Sequence, residues 1–552
     1  MNVTKNRCVS IETQENQQDN NDSSSPEDTE EVSSFDQELV TKSLGKVGKG
    51  AGILFAGTIL GIFFNFLARI VIARFYTPDH YGQFNLFLTF LTIFAYIGML
   101  GLTNGISRFI GYYTGTGEAK KIKEVEGWGL LLGAMSGIFF GAFLFLTAPL
   151  LAPLFSDDAL FVDYLRIAAV TIPFYVILRS ILSIFRGHQR TKENILFYSF
   201  GRNTAFLSLT VLVGIFSLPL IGVMWSMFTA VVLMAVISYL YYLKNQKSLL
   251  SSSGSFSFTP SIGKKILLFS LPLVLVDLMH QVMGWADTLM IGIYLTEDAV
   301  GFYNVAKPLS VFISAGLSIT IFIYTPLVSG LYARKKFQEN HVIFSVLTKW
   351  VCFLTLPFAM ILFLYSKEII FIFGSEYLPA IIPLQILVIF YFINNLMGPN
   401  GATLTAYGKT KFLMYATCLA AGMNIGLNIL LIPIYGIIGA AVATGISVLS
   451  ANIARSYKLY SLSGVHSFGP NNIKPVVSTV ITGTLFVMFL KITPIPGVIQ
   501  VPLAFLSLTF LYLLTASVTR SISKQDMELL MLIEDKTGVK LTFLRRLLNR
   551  FA

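Results

Sequence analysis

The sequence predicts an all-α membrane protein of about fourteen transmembrane helices. Two parallel six-helix repeats are expected to form two bundles around a central cavity, followed by two C-terminal helices. Three observations predict this class: the composition, the placement of Lys and Arg, and a phrase that occurs twice. Of the 552 residues, 54% are hydrophobic and 12% are charged, and the mean hydropathy is +0.70. Soluble domains carry about 25% charged residues, so the membrane is the expected solvent of this chain.

The apolar residues fall into stretches of the length that a membrane helix needs. A bilayer core about 30 Å thick requires roughly 20 apolar residues per helix. Fourteen such stretches cover 51–73, 84–107, 128–150, 160–184, 194–216, 218–243, 266–293, 299–327, 343–365, 378–398, 412–432, 436–456, 475–491 and 498–517. Several are longer than one span requires, which predicts tilted or broken helices.

The net charge of +11 is distributed between these stretches in an alternating way. Lys and Arg gather in every second gap, as at Lys120, Lys121 and Lys123, whereas the gaps at 156–158 and 296–298 carry only acids. Loops rich in Lys and Arg stay in the cytoplasm. The alternation therefore predicts an even number of spans with both termini cytoplasmic, in the cell membrane. It also indicates membrane lipids rather than nucleic acid as partners of the basic residues.

One nine-residue sequence motif, which we call the repeated phrase, occurs twice, 219 residues apart. It reads TPDHYGQFN at 77–85 and TEDAVGFYN at 296–304. The tripeptides RTK at 190–192 and KTK at 409–411 share this offset. Duplication of a six-helix unit explains both matches, and because six is even the copies insert as parallel repeats. Two similar bundles that rock around a central cavity indicate alternating access, although such a fold does not identify a substrate.

These patterns divide the chain into six segments. They are a disordered acidic cytoplasmic tail (1–41), an N-terminal six-helix bundle (42–243), a cytoplasmic linker (244–263), a C-terminal six-helix bundle (264–461), two extra transmembrane helices (462–517) and a basic cytoplasmic tail (518–552). Within the last segment, 536–550 is expected to lie on the anionic inner leaflet. The three cysteines have no regular spacing and predict neither disulfides nor a metal site, and no cofactor is expected.

Three segments carry a resemblance to a known family. The stretch ADTLMIGIYLTEDAVGFYNVAKPLS (286–310) and the turns GHQRTKEN (187–194) and AYGKTKF (406–412), with the six-plus-six-plus-two plan, resemble the multidrug/oligosaccharidyl-lipid/polysaccharide exporter superfamily. Within it, the chain is most similar to the polysaccharide biosynthesis proteins, over roughly 45–517. The resemblance implies a flippase that moves a polyprenyl-phosphate-linked oligosaccharide to the outer leaflet for surface polysaccharide or glycan synthesis.

Ionisable side chains inside membrane spans are costly and are therefore candidates for function. The candidates for a cationic substrate cavity are Lys307, Arg69, Arg202 and Arg74. Arg and Lys bind phosphate through charge-assisted hydrogen bonds. The repeat equivalent of Lys307 is the apolar Leu88, so the duplicated fold does not require this charge. Snorkelling to water is the alternative for Arg74, and lipid headgroups are an alternative partner for Arg202.

The resemblance adds one expectation about Lys307. In the family's peptidoglycan-precursor flippases, a cation at the end of the pattern Y-x-x-A-[KR] faces the central cavity. Tyr303, Ala306 and Lys307 fit this pattern.

Three further residues are candidates for coupling transport to H⁺ or Na⁺. Asp277 and His280 lie three residues apart midway along span seven, and His changes charge near neutral pH. Alternatively, the two form a hydrogen-bonded pair that only fixes helix packing. Asp287 is the third candidate, with Lys307, Arg69 or water as its expected partner.

Other function classes stay open at this stage. Cation-coupled multidrug extruders of the same superfamily often have an acid in span one, where this chain has Asn65 and Arg69, but Asp277 keeps this alternative open. The sequence hardly distinguishes a peptidoglycan-precursor flippase from a flippase for a polyprenyl-phosphate-linked oligosaccharide. A membrane enzyme such as a glycan polymerase or glycosyltransferase is not expected, because the outer loops are short and no long one carries paired acids with aromatics. An ATP-driven pump is not expected either, because no G-x-x-x-x-G-K-[ST] phosphate loop occurs. The protein is expected to act as a monomer on a lipid-linked glycan.

Overall fold

The computed structural model describes residues 57, 60–190, 192–249, 259–467, 469–493, 497–519 and 521. Over these ranges the regular structure is helical throughout, with no β-strand. The predicted acidic tail (1–41) and the basic segment 536–550 lie outside the described residues.

The helices follow one another in two similar series. The first series consists of α1 (60–75), α2 (Pro78–Gly98), α3 (Leu102–Gly115), α4 (Ala119–Leu151), α5 (Phe161–Gly187), α6 (Lys192–Asn194), a π-helical segment (Ile195–Arg202), α7 (Asn203–Ile215) and α8 (Ile221–Leu249). The second consists of α9 (Pro260–Tyr294), α10 (Glu297–Val311), α11 (Ala315–Ala333), α12 (Phe337–Leu364), α13 (Ser366–Phe371), α14 (Ile381–Leu396), α15 (Asn400–Ala406) and α16 (Thr410–Ser463). Two further helices, α17 (Pro470–Ile492) and α18 (Gly497–Val518), complete the described chain.

The described helices are those of a polytopic membrane protein. Within the ranges given above, nine helical stretches are long and apolar enough to cross a bilayer; α2 and α3 together count as one of them, and α16 counts once. The membrane fold predicted from composition is therefore confirmed. The number fourteen stays a prediction.

α16 contains two antiparallel legs rather than one long helix. The backbone at Gly436 is left-handed, with φ 59°, a conformation that glycine adopts without steric cost. The side chain of Asn424 donates to Thr444 Oγ1 over 3.3 Å, whereas twenty residues of straight helix would separate them by about 30 Å. The stretches 412–432 and 436–456 thus form separate legs.

The duplication is visible in the backbone. The first residues of α2 and α10 are related by the 219-residue offset found in the sequence. Left-handed turn residues recur at the same offset, Gln189 with Gly408 (φ 60° and 69°) and Ser217 with Gly436 (φ 51° and 59°). The two series are therefore structural repeats as well as sequence repeats.

The repeated phrase forms the contact between α2 and α10. Gly82 and Gly301 are the glycines of the two copies. A Cβ atom on Gly82 would overlap the carbonyl oxygen of Glu297, and one on Gly301 would overlap that of Pro78. Both the glycines and the carbonyl residues are 219 residues apart, so each copy makes the same contact to the other. Glycine is required here because the two backbones meet directly.

α9 contacts both halves of the molecule. Near its start, Phe269 lies under the guanidinium of Arg108 on α3, with 4.0 Å between the Arg108 Cζ atom and the ring centroid. Near its end, Asp287 accepts hydrogen bonds from both legs of α16. α9 therefore links the first bundle to the second.

The segment between the two halves is shorter than the predicted linker over 244–263. α8 continues to Leu249, and α9 begins at Pro260. Lys and Gln at the end of α8 have good helix propensity. Proline fits the first turn of a helix, where its missing N–H would have no partner anyway. A lack of hydrophobic periodicity does not prevent a helix from extending beyond the apolar stretch, so both helices reach into 244–263, and the linker itself stays a prediction.

Candidate functional site

Asp287 is the centre of a buried polar cluster on the inner side of α9. Its carboxylate is fully buried. Oδ2 accepts from Lys307 Nζ (2.6 Å), Tyr303 Oη (2.8 Å) and Thr444 Oγ1 (2.6 Å), and Oδ1 accepts from Asn424 Nδ2 (3.1 Å) and Asn428 Nδ2 (2.9 Å). We call these six residues the Asp287 cluster. A buried carboxylate is tolerable only with such partners. Of the environments considered for Asp287, the structure shows the pair with Lys307.

Lys307 has its charge compensated in this conformation. Besides the ion pair with Asp287, its ammonium donates to the carbonyl oxygens of Met283 (3.2 Å) and Gly284 (3.1 Å). An ammonium has three donors, and all three are engaged. Its side chain is 13% exposed. Lys307 can therefore act as a free cation for a ligand only if the pair with Asp287 opens.

The Asp287 cluster exists in one repeat only. The equivalents of Asp287 and Lys307 in the first copy are Ala68 and Leu88. Ala68 is completely buried, and Leu88 packs against the same hydrophobic core. The fold thus accepts an apolar pair where the second copy has an ion pair. The architecture does not need this charge, so Asp287 and Lys307 remain candidates for function.

Arg69 on α1 is held by neutral groups. Its Nη1 atom donates to Asn85 Oδ1 (2.9 Å) and to Tyr81 Oη (3.5 Å), and its Nε atom donates to Asn65 Oδ1 (3.3 Å). Within the described part of the chain, no carboxylate forms an ion pair with it. Arg69 therefore keeps an uncompensated positive charge while it is half-buried.

The repeat explains how Arg69 is accommodated. Its equivalent is Thr288, which exchanges hydrogen bonds of 3.2–3.3 Å with Asn304. Asn304 is the equivalent of Asn85. Arg69 therefore replaces a threonine in an existing contact, keeps that contact, and adds a charge.

Arg69 and Lys307 belong to one layer across the interface of the two halves. Tyr81, which accepts from Arg69, donates to the backbone carbonyl of Asn304 over 3.5 Å. Lys307 lies one helical turn beyond Asn304 on α10. A ligand that reached one of these cations would be close to the other.

The other two predicted cavity cations lie elsewhere. Arg74 is exposed and donates to the carbonyl oxygens of Phe371 (2.7 Å) and Ile372 (2.6 Å) at the end of α13. It thereby satisfies carbonyls that a helix C-terminus leaves free. Arg202 donates to Asn203 Oδ1 (2.8 Å from Nη2) and lies over the ring of Tyr198. Neither shares a contact residue with the layer of Arg69 and Lys307.

Asp277 and His280 lie midway along α9, as predicted. Their side chains are outside those that the structure describes. Their role in coupling stays a prediction.

Sequence reasoning missed three members of the Asp287 cluster: Asn424, Asn428 and Thr444. A signal was available, because the two asparagines lie four residues apart in an apolar stretch and therefore share one face of the helix. Polar residues inside membrane helices usually find a polar partner. That partner, 137 and 141 residues away for the two asparagines, could not be identified from one sequence.

Comparisons with known proteins agree with this fold. The family model described as "Polysaccharide biosynthesis protein" matches residues 47–329, and the model described as "MatE" matches residues 272–430. The chain is 28% identical over 208 residues to the "Probable low-salt glycan biosynthesis flippase Agl15" of Haloferax volcanii. This match covers 37% of the chain and 43% of that relative, which is less than half of its length.

A second relative and a solved structure extend the similarity over more of the chain. "Lipid II flippase MurJ" of Bacillus subtilis is 23% identical over 413 residues, which cover 67% of the chain and 73% of the relative. The solved structure "Lipid II flippase MurJ, inward closed conformation" has a TM-score of 0.66 at 17% identity and covers 87% of the chain and 99% of its own. That structure supports the fold. The first family model matches more than half of the chain, and the chain therefore belongs to the polysaccharide biosynthesis protein family.

Proposed function

We propose that the protein is a flippase for a polyprenyl-phosphate-linked oligosaccharide. It moves this lipid from the cytoplasmic to the outer leaflet by alternating access. Family membership and the name of the Haloferax volcanii relative, a probable glycan biosynthesis flippase, support a transporter rather than an enzyme. The lipid-linked glycan and membrane lipids are its partners, and surface polysaccharide or glycan synthesis is its purpose.

The uncompensated charge of Arg69 is the observation that carries this proposal. It lies in one layer with Lys307, where the two repeats meet. A half-buried positive charge without a carboxylate partner among the described residues favours an anionic ligand, because an anion supplies the missing counter-charge. The phosphate groups of a lipid carrier are such anions, and they accept the hydrogen bonds that Arg and Lys donate. A cationic drug would be repelled at this layer.

The Asp287–Lys307 pair supplies a coupling element for the transport cycle. When a phosphate binds Lys307, the ion pair opens and Asp287 is left with its neutral partners. The carboxylate then takes up a cation, H⁺ or Na⁺, which restores its charge balance. When the phosphate leaves, the pair closes and the cation is released. Asp277 and His280 on the same helix are further coupling candidates.

The contact between α2 and α10 acts as the outer closure in this scheme. The basic gaps predict that both termini are cytoplasmic, and with this orientation the repeated phrases lie at the outer ends of α2 and α10. The backbone contact at Gly82 and Gly301 holds the two halves together there, and so do the hydrogen bonds from Arg74 on α1 to the end of α13. The closure opens outward once the headgroup has reached the layer of Arg69 and Lys307.

The experiment is a flipping assay on the purified full-length chain in liposomes that contain a polyprenyl-pyrophosphate-linked oligosaccharide. Lys307→Leu, which copies the residue of the first repeat, should abolish flipping. Lys307→Arg should retain part of it, because the charge remains. Lys336→Leu removes an exposed lysine that pairs only with Glu339, and it is the matched control. Equal flipping by wild type and Lys307→Leu would contradict the proposal.

Two alternatives keep specific support. The "MatE" match over residues 272–430 favours cation-coupled multidrug extrusion, and the Bacillus subtilis relative favours a peptidoglycan-precursor lipid as cargo. The same liposomes distinguish them. Extrusion of a cationic dye without glycolipid movement would support the first. Faster flipping of a peptidoglycan precursor than of the oligosaccharide lipid would support the second.

A further inference from the structure

A second cationic cluster lies inside the first bundle, between α5 and the π-helical segment. The Arg179 Cζ atom lies 4.7 Å from the centroid of the Tyr198 ring, and the Arg202 Cζ atom lies 4.2 Å from the same centroid. The two guanidinium carbons are therefore no farther apart than the sum of these distances. We call Arg179, Tyr198 and Arg202 the double-arginine cluster.

No negative charge balances this cluster in the part of the chain that the structure describes. Arg202 donates to the neutral Asn203. The buried Nε atom of Arg179 has no hydrogen-bond acceptor, and neither arginine forms an ion pair with a described carboxylate. Both arginines are half-buried, and two like charges within this distance repel each other. Stacking on one tyrosine offsets only part of that cost.

The local structure holds the cluster in place. A π-helical segment ends at Arg202 and contains Tyr198, and π-helical turns occur frequently at functional sites. The Tyr198 hydroxyl is fixed by the hydroxyl of Tyr175 at 2.7 Å. Asn203 donates to the carbonyl oxygen of Gly61 on α1 over 2.8 Å. The two charges are thus positioned by neutral contacts on three elements.

The cluster is absent from the second repeat, so the fold does not require it. The equivalents of Arg179, Tyr198 and Arg202 at the 219-residue offset are Gly398, Thr417 and Ala421. Arg179 also lies eight residues before the end of α5 at Gly187, about 12 Å of helix rise. Its guanidinium stacks on a tyrosine at that depth instead of extending to the helix end.

We propose that the double-arginine cluster is an anion site for a phosphate or pyrophosphate group attached to a lipid. Arginine is suited to this ligand, because its planar donors bind phosphate oxygens in pairs. The site is separate from the layer of Arg69 and Lys307 and lies nearer the α5 end that carries Arg186. This assignment of the ligand rests on the proposed function. In that scheme, the double-arginine cluster receives the pyrophosphate of the lipid carrier before the headgroup reaches Lys307.

Binding is tested with the full-length chain in nanodiscs of a zwitterionic lipid, with polyprenyl pyrophosphate as the probe. Arg179→Gln and Arg202→Gln should each weaken binding at least about tenfold, which corresponds to about 1.4 kcal/mol. Arg166→Gln removes the same charge from the same helix at an exposed position paired with Asp163, and it should bind like wild type. Unchanged binding by the Arg179→Gln/Arg202→Gln double variant would overturn the site.

Thermal unfolding without ligand separates an anion site from a structural role. Removal of one of two repelling charges should leave the melting temperature of Arg179→Gln equal to that of wild type or raise it. Polyprenyl pyrophosphate should raise it for wild type only, because a ligand stabilises the state that binds it. A lower melting temperature for Arg179→Gln together with an undiminished ligand shift would contradict the assignment.

Two further measurements identify the source of the anion and test the anion site separately from the proposed function. If phosphatidylglycerol at equal concentration displaces the probe, the site binds membrane headgroups and the carrier assignment fails. If it does not, the carrier pyrophosphate is supported. A wild-type protein that binds the probe through these arginines but moves no glycolipid in liposomes would refute the flippase and leave the anion site standing.

Discussion

Asp287 and Lys307 form an ion pair at a position where the first repeat has Ala68 and Leu88. The apolar pair of the first repeat can therefore serve as the reference for what the ion pair contributes to stability. Both versions of the pair fit the same architecture, but removal of only one partner leaves a buried charge without compensation. Loss of one partner from a buried ion pair costs about 3–5 kcal/mol, whereas replacement of both by apolar residues is often neutral.

The first prediction concerns stability. Asp287→Ala should lower the free energy of unfolding by about 3 kcal/mol, because Lys307 then lacks its counter-charge. The double variant Asp287→Ala/Lys307→Leu, which copies the first repeat, should recover most of this loss and still fail to transport. Detergent-solubilised protein is unfolded by heat or denaturant for the comparison. A double variant that transports like wild type would show that the pair is only structural.

The second prediction concerns Arg69. Arg69→Thr copies the second repeat and retains a hydroxyl within the contact to Asn85, so the protein should fold normally. Transport should fall at least about tenfold, the loss expected when one charged contact worth about 1.4 kcal/mol disappears. The initial flipping rate in liposomes is the measurement, and Arg69→Lys is the charge-retaining comparison. Normal transport by Arg69→Thr would remove Arg69 from the substrate path.

Sequence reasoning reached the charged residues of the site more easily than their neutral partners. Lys307 stood out because its repeat equivalent is apolar, and this comparison needs only the sequence. Tyr198 and Asn424 did not stand out, because tyrosine and asparagine occur in membrane helices for many reasons. Their importance follows from contacts to residues on other helices. The stacking of Arg179 on Tyr198 could not be predicted either, because Tyr198 lies on the neighbouring π-helical segment.

At the scale of elements, the repeated phrase builds the crossing of α2 and α10. Its glycines form the contact. Its Thr and Asp lie at the start of each helix, and its Asn makes local hydrogen bonds. Asn85 and Asn304 each donate back to the carbonyl four residues earlier, at 2.7 Å and 2.9 Å. The phrase occurs twice because each copy is the docking surface for the other.

The third prediction tests this crossing. Gly82→Ala and Gly301→Ala should each prevent close approach of α2 and α10, because the added Cβ atom would overlap a backbone carbonyl. Transport should be strongly reduced. Cysteines placed at the outer ends of the two helices should become more reactive towards an impermeant maleimide. Gly111→Ala on α3 is the matched control, since a Cβ there meets no atom within 4 Å. Unchanged reactivity and transport in both variants would exclude the crossing as a closure.

Prediction of the elements from the sequence succeeded where apolar length decides and failed where turns or propensity decide. The two legs of α16 were separated correctly, because 412–432 and 436–456 are each long enough to form a span. α8 extends past the predicted span 218–243 and α9 starts before the predicted span 266–293, since polar residues continue both helices beyond the apolar part. The π-helical segment was not predicted, because it differs from an α-helix in its backbone hydrogen bonds. This difference produces no periodic pattern of apolar residues in the sequence.

At the scale of the molecule, the placement of Lys and Arg predicts the orientation. Cysteines introduced at Asp157 and Glu297 should react with an impermeant maleimide in intact cells, whereas cysteines at Lys120 and Lys335 should react only after permeabilisation. The background must lack the three native cysteines. The opposite labelling pattern would invert the topology and with it the direction of transport.

The two repeats contribute different charged residues to the molecule. Both supply the scaffold and the outer crossing. The first supplies Arg69, Arg179 and Arg202 without described acidic partners, and the second supplies Lys307 in a pair that can open. On the proposed function, these charges form a cationic path for an anionic lipid, at positions where the other copy is neutral or apolar.

The most direct test is the rate at which the full-length protein moves a polyprenyl-pyrophosphate-linked oligosaccharide across a liposome membrane. The oligosaccharide that is accessible to an impermeant glycan-oxidising reagent is followed over time. The account predicts that wild-type protein exposes the inner-leaflet glycolipid, whereas Lys307→Leu leaves it as protected as in protein-free liposomes. Protection by the wild-type protein equal to that in protein-free liposomes, together with transport of a cationic dye, would contradict it.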